Sequence, residues 1–158
     1  MTERRQRKWH ECLTVIRPEP TGPVAEMEAM FSAGKKVHYQ IEARFPDFNK
    51  EKASTFTDLC LPFDIVYHPD LYDFLHETVY EIKPSVWFLN NLDYCIAQGS
   101  GYKIFKGAKK LTFLLYGYTE DHKTVGPWPY DAPFTYSWDE LKSYTLASDR
   151  ILLEQERQ

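Results

Sequence analysis

Cysteine is scarce and poorly placed for staples. Cys12, Cys60 and Cys95 are odd in number and widely spaced. They make neither a disulfide framework nor a C-x2-C metal pair, and a reducing, intracellular setting (cytoplasm or nucleoid) is expected. No apolar run approaches the roughly 18 residues needed to span a bilayer, and residues 1–8 lack the apolar stretch of a signal peptide. A membrane is therefore not an expected partner. Internal repeats, low-complexity tracts and linkers are also missing. Net charge is only −4, which argues against a protein that simply coats nucleic acid. What is present is 158 residues, 43% hydrophobic and 27% charged. That describes one globular domain, long enough to bury roughly 70% of its unfolded surface.

The small net charge hides an asymmetry. Between 42 and 81 lie nine acidic residues (42, 47, 51, 58, 64, 70, 73, 77, 81) against three basic ones (44, 50, 52). Arg4, Arg5, Arg7 and Lys8 crowd the start, and 99–111 holds Lys103, Lys106, Lys109 and Lys110 with no acid. Acid in the middle and base on the flanks suits a carboxylate metal site serving a polyanion. Solvated faces would give the same pattern.

Three prolines between 17 and 23 exclude a helix there. The stretch 24–45 reads as helix, broken or not near Gly34, with Val37, Ile41 and Phe45 as its apolar stripe and Pro46 as its stop. The stretch 55–67 reads as one or two strands with a bend at Pro62, and 78–83 as another strand ended by Pro84. Residues 87 to about 105 look helical, and 111–118 is an apolar strand suited to mid-sheet. Ser137 and Glu140 form a capping box ahead of a final amphipathic helix from about Trp138. This order predicts an α/β core.

The most informative chemistry is Asp64 followed by Glu81-Ile82-Lys83. Side chains alternate along a strand, so Glu81 and Lys83 share a face while Ile82 points to the core. A hairpin from the Asp64 strand would bring a second carboxylate beside Glu81. Two carboxylates and a backbone carbonyl suit Mg²⁺ or Mn²⁺, and a lysine on the same face suits an attacking water or phosphate charge. Asp58 and Asp70 rival Asp64, which is preferred because Phe63, Ile65 and Val66 around it look like a buried strand. Upstream, Gly34, His38 and Glu42 make a G-x3-H-x3-E helix with His38 and Glu42 one turn apart. Downstream, Gln98 and Tyr102 make a Q-x3-Y turn. Gly99 and Gly101 inside it each cost about 1 kcal/mol in a helix. They mark either a break or a close backbone approach to phosphate.

In this order, the residues resemble the PD-(D/E)xK nuclease superfamily, within it the RecB-like, Cas4-like branch. That branch carries a G-x3-H helix, an aspartate after the first strands, an E-x-K strand and a Q-x3-Y helix. The resemblance spans roughly 30–118. It implies a restriction-endonuclease-like core, a mixed central sheet flanked by helices, in a single domain over 1–158 whose core spans about 24–155, with 1–23 as an N-terminal extension. It further implies that His38, Asp64, Glu81 and the Ile82 carbonyl hold the metal and that Lys83 is catalytic together with Asp64 and Glu81. Glu42, Gln98 and Tyr102 would brace the site or touch the DNA backbone. Relatives that carry an iron–sulfur cluster use one early and three late cysteines. Nothing after Cys95 can supply the late three, so no cluster is expected.

The expected function is a metal-dependent DNA nuclease, exo- or endonucleolytic and with little sequence specificity. DNA is the expected partner, with Lys103 and Lys106 on its phosphates; a homo-oligomer or a protein partner is left open. The alternative is a nuclease-derived module that binds nucleic acid or protein without cutting, but the intact side-chain set favours catalysis. Aromatic residues make up 16%. Trp128 and Tyr130, in the loop 126–130, would offer stacking surfaces for unpaired bases or ordinary packing.

Overall fold

Residues 110–118 are apolar along most of their length, as a strand covered on both faces must be. In the computed structural model they form the fourth strand of a five-stranded sheet. The structure describes residues 4–19, 24–45, 49–50, 53–121 and 123–158, with backbone alone for 24–32 and 49–50. Chain order is β1 (Arg5–Lys8), a 3-10 turn (Glu11–Leu13), α1 (Val24–Glu42), β2 (Asn49–Lys50), β3 (Ser54–Phe56), β4 (Phe63–Tyr67), β5 (Leu71–Asp73), β6 (Thr78–Pro84), α2 (Ser85–Asn90), α3 (Leu92–Lys106), β7 (Lys110–Tyr118), β8 (Thr124–Asp131) and α4 (Trp138–Glu156). The class is α/β, with mixed sheets flanked by helices.

The larger sheet has the order β2-β5-β6-β7-β8, and the smaller one β1-β4-β3. β6 and β7 run parallel, from Thr78 opposite Lys110 to Pro84 opposite Tyr116, so α2 and α3 form the crossover that a parallel pair requires. Alternation then sorts the side chains. Ile82, Leu114 and Tyr116 point to one face, where Val37 and Ile41 of α1 and Leu71 of β5 pack on them. Phe113 and Leu115 belong to the other core, with Phe88 of α2 and Cys95 and Ile96 of α3. Among the described residues no helix is long and apolar enough to cross a membrane.

Several sequence expectations are refined here. α1 runs unbroken through Gly34; the Pro46 stop and the end of the proline-rich segment lie outside the described residues. The helix expected over 87–105 is two helices, divided at Asn91, whose φ of −132° is not helical. The bend at Pro62 separates β3 from β4, and the Ser137–Glu140 capping box is formed. The described part of the N-terminal stretch expected to be an extension enters the fold, because β1 pairs in parallel with β4, Arg5 opposite Phe63. β8 was not anticipated, since Pro127 and Pro129 argue against a strand; as the sheet's edge it tolerates the missing donors.

The ends of the chain are tied by charge. Arg7 Nε donates to Asp149 Oδ1 (2.8 Å), Arg5 reaches both oxygens of the same carboxylate (3.1 Å each), and Arg7 Nη1 donates to Glu156 Oε1 (2.6 Å). Arg7 is 6% exposed and Asp149 5%. Burial works against an ionised Asp149, but hydrogen bonds from Arg5 and Arg7 bring its pKa below 3.8. A depressed acid adds stability above its unfolded pKa and loses it as pH falls through the folded value. Removing one partner of a buried pair strands the other. Asp149→Ala is therefore expected to lose about 3 kcal/mol at neutral pH, and the gap from wild type should narrow in acid below 3.8. Urea unfolding at both pH values checks this; coincident curves at neutral pH would remove the clamp from the fold's energetics.

Candidate metal centre at the open end of the central strands

β5 pairs with β6 only from Leu71 opposite Tyr80 to Asp73 opposite Thr78. Just beyond Leu71 the strands separate, and Asp70 bridges the gap. Its backbone N–H donates to Glu81 Oε1 (3.1 Å), and its Oδ2 accepts the Ile82 N–H (2.8 Å). The N–H and C=O of a strand residue point to the same edge, so the Ile82 carbonyl also faces this opening. α1 contributes from above. The packing of Val37 and Ile41 turns His38 and Glu42, one turn apart, toward Asp70. His38 Nδ1 lies 3.6 Å from Asp70 Oδ1. Ligand atoms of His38, Glu42 and Asp70 all lie within 4.8 Å of one another. An imidazole, clustered carboxylates and a carbonyl fit Mn²⁺ or Mg²⁺, with the nitrogen favouring Mn²⁺.

α3 serves the other side. Lys83 Nζ donates to Gln98 Oε1 (2.6 Å) and sits 5.7 Å from the centre of the Trp87 ring. Tyr102 is 7% exposed; burial first, then the charges of Glu81 and Asp70, push its phenol well above 10. Gln98 thus contacts Lys83 from the α3 side, and Tyr102, one turn on, is too buried to reach a DNA backbone. The glycines between them neither break the helix nor approach phosphate. A Cβ on Gly99 would stand 2.8 Å from Leu111 Cδ2, and one on Gly101 2.2 Å from Trp9 Cζ2. Trp9, 1% exposed, also donates from Nε1 to the Gln98 carbonyl (2.9 Å). Overpacking costs about 1–3 kcal/mol, against about 1 gained by replacing a helical glycine. Gly101→Ala is accordingly expected to lower the thermal midpoint, and a raised midpoint would show that Trp9 yields.

Asp64 is not part of this centre. It lies on β4 of the smaller sheet, and Arg4 Nε holds its carboxylate at 2.8 Å, drawing its pKa down. Phe63 and Ile65 are buried, as expected of a core strand, but alternation turns Asp64 away from them. Asp70 occupies the position assigned to Asp64. Asp58 accepts from Trp138 Nε1 (2.7 Å) and the Cys60 amide (2.8 Å) and shapes a loop. Lys109 and Lys110 do not border the site either. They pair with Glu77 (2.8 Å) and Asp131 (3.2 Å), beside Thr78, five residues or about 16 Å of strand from Lys83. Lys103 and Lys106 lie about 7 and 12 Å along α3 from Gln98, with Lys106 Nζ over the Tyr72 ring at 5.3 Å. Trp9 and Trp87 carried no sequence signal of their own.

The electrostatics centre on Glu81, 3% exposed. Burial, and then the neighbouring charge of Asp70, raise its pKa well above 4.5, while Lys83 partly offsets them. Burial also opposes ionisation of Asp70, but hydrogen bonding and charge from His38, with Lys83 and the Ile82 amide, bring it below 3.8. Burial disfavours the Lys83 ammonium, yet Glu81 leads a set of neighbours that raise its pKa above 10.5. An acid with a raised pKa binds its proton more tightly when folded. Its stabilisation is complete below 4.5 and declines as pH rises through the folded value. In chelator, stability should therefore fall with rising pH above 4.5, and Glu81→Gln should flatten that slope. Mn²⁺ should restore wild type most at high pH, because only the ionised carboxylate ligates. Thermal melts across the range test this; identical slopes for variant and wild type would overturn it.

These features define an α/β protein with a clustered His–carboxylate centre at a sheet end. No protein-family model and no curated protein matches the sequence. A solved crystal structure, that of SSO0001, is similar in fold, with a TM-score of 0.63 at 16% identity. The match covers 96% of this chain and 78% of that one.

Proposed function

We propose that this protein is a divalent-metal-dependent deoxyribonuclease of the PD-(D/E)xK superfamily, similar to its RecB-like branch and built on a restriction-endonuclease-like core. The observation that carries this reading is the convergence of Asp70, Glu81 and Lys83 with His38 and Glu42 where β5 and β6 part. The order also supports it: a G-x3-H helix, a hairpin ending in E-x-K, a crossover helix with Q-x3-Y, and a parallel strand.

In this reading His38, Asp70, Glu81 and the Ile82 carbonyl hold Mg²⁺ or Mn²⁺, and Glu42 lies within reach of the same position. When bound, the ion lowers the pKa of a water and offsets charge on the phosphate. The chain supplies the rest. Asp70 binds the Ile82 amide and so fixes the β6 backbone at the site. Gln98 holds the Lys83 ammonium, whose charge is directed at the nucleophile and the phosphorane that forms. Lys103 and Lys106 are the proposed phosphate contacts on the α3 side.

Glu81→Ala and Asp70→Asn should lose both Mn²⁺ affinity and DNA cleavage, while Asp64→Asn should stay within a few-fold of wild type. Lys83→Met keeps the ligands and removes a cation, so Mn²⁺ should bind at least as tightly while cleavage falls about 10²-fold or more. Calorimetric titration with Mn²⁺ beside cleavage of plasmid and single-stranded DNA reads both quantities. Failure of wild type to cut either DNA with Mn²⁺ or Mg²⁺ would overturn the catalytic reading, as would full activity in Lys83→Met.

A further inference from the structure

Sheet register aligns an exposed aromatic with the proposed nuclease site. Lys83 stands opposite Leu115 of β7, and Leu115 opposite Trp128 of β8. Cross-strand partners share a face, so Lys83, Leu115 and Trp128 form one row. Two interstrand spacings put the Trp128 backbone about 10 Å from that of Lys83. In the adjacent row, Glu81, Phe113 and Tyr130, the ring of Phe88 meets Phe113 (4.7 Å) and the edge of Tyr130 (5.6 Å), and Tyr130 stays 39% exposed. Trp128 is more exposed still, at 50%. The other three tryptophans are buried or half-buried.

The surroundings of Trp128 are firm and cationic. Pro127 and Pro129 flank it and restrict the backbone. Gly126 turns the chain at φ 104°, and a Cβ there would stand 2.8 Å from the Leu115 carbonyl oxygen. The Gly126 carbonyl in turn accepts from Arg44 Nη1 (2.8 Å). Gly117 leaves open the space beside the Trp128 ring; a Cβ there would meet Trp128 Cζ3 at 3.9 Å. Two cations thus come near this stretch of β8: Lys83, two strands away in the same row, and Arg44, whose guanidinium sits on the Gly126 carbonyl two residues before Trp128. An exposed aromatic face with cations nearby is matched by a nucleotide, whose base stacks while its phosphates meet the charges. A base inside a duplex has both faces already stacked and offers none.

We propose that Trp128 is a stacking platform for one unpaired nucleobase beside the scissile phosphate, so that single-stranded DNA or a frayed end is the form of substrate this site takes. This rests on the nuclease reading for its scissile phosphate, but not for its binding.

The test compares wild type, Trp128→Ala and Trp128→Phe. Binding of a labelled oligothymidylate, an abasic oligomer of equal length and a blunt hairpin duplex is measured in EDTA. Trp128→Ala should bind oligothymidylate about ten- to a hundredfold more weakly. Trp128→Phe should stay near wild type, which also controls for the fold, and abasic binding should be the same for all three proteins. Equal losses on single strand and duplex would overturn the platform. So would unchanged oligothymidylate binding by Trp128→Ala, or sedimentation showing a wild-type dimer that Trp128→Ala abolishes, which would make the patch an interface between copies. Cleavage with Mn²⁺ is scored separately. Stacking without cutting would leave the platform and remove the nuclease, whereas equal cutting and binding by Trp128→Ala would do the reverse.

Discussion

Glu81 is a carboxylate buried in the middle strand of the larger sheet, and much of the molecule is arranged around that fact. A buried charge without compensation costs several kcal/mol. Here Asp70 adds a second negative charge rather than relieving the first. The available relief is the Asp70 amide, the Lys83 ammonium and, in the proposed function, a divalent cation. Elements that carry such groups must converge at the one place where β5 and β6 are not paired. α1 reaches it because its apolar stripe packs on Ile82, Leu114 and Tyr116. α3 reaches it because the parallel step from β6 to β7 requires a crossover.

Fixing α3 involves parts of the chain remote from the site. The Trp9 ring replaces what would be a side chain at Gly101, and its Nε1 holds the Gln98 carbonyl. Trp9 is held in turn by its own amide on Val66 and by the rings of Phe105 and Trp138. β1, just before it, is tied to α4 through Arg5, Arg7, Asp149 and Glu156. A path of packing and ion pairs therefore runs from the two ends of the chain to the amide that holds Lys83. Two glycines that look like helix defects are what allow the helix to lie that close.

The difference between Asp64 and Asp70 shows where local patterning misleads. Asp64 sits among Phe63, Ile65 and Val66 and reads as a strand carboxylate, which it is. Nothing local says that this strand joins β1 and β3 rather than the strand of Glu81. The hairpin that presents Asp70 has three-residue pairing and a connection, 74–77, free of glycine, proline or asparagine. Its turn is made by Glu77 at φ 47° and by the Asp73 carboxylate accepting the amides of Leu75 and His76. Such a turn leaves little compositional trace.

By itself, the sequence determined those features that depend on neighbours within a few residues. It set the apolar stripe of α1 with His38 and Glu42 on one face, the shared face of Glu81 and Lys83, the apolar β7, the spacing of Gln98 and Tyr102, and the capping box of α4. Periodicity and capping are local, so they can be read without knowing the fold. Tertiary structure alone decided which aspartate meets Glu81, that the glycines of α3 receive Trp9 and Leu111, and that Lys109 and Lys110 are spent on Glu77 and Asp131. It also decided that β8, with two prolines, still forms an edge strand and sets Trp128 in line with Lys83. Each of those depends on strand pairing or packing between residues far apart in the chain, and side-chain alternation is the same whichever partner a strand finds.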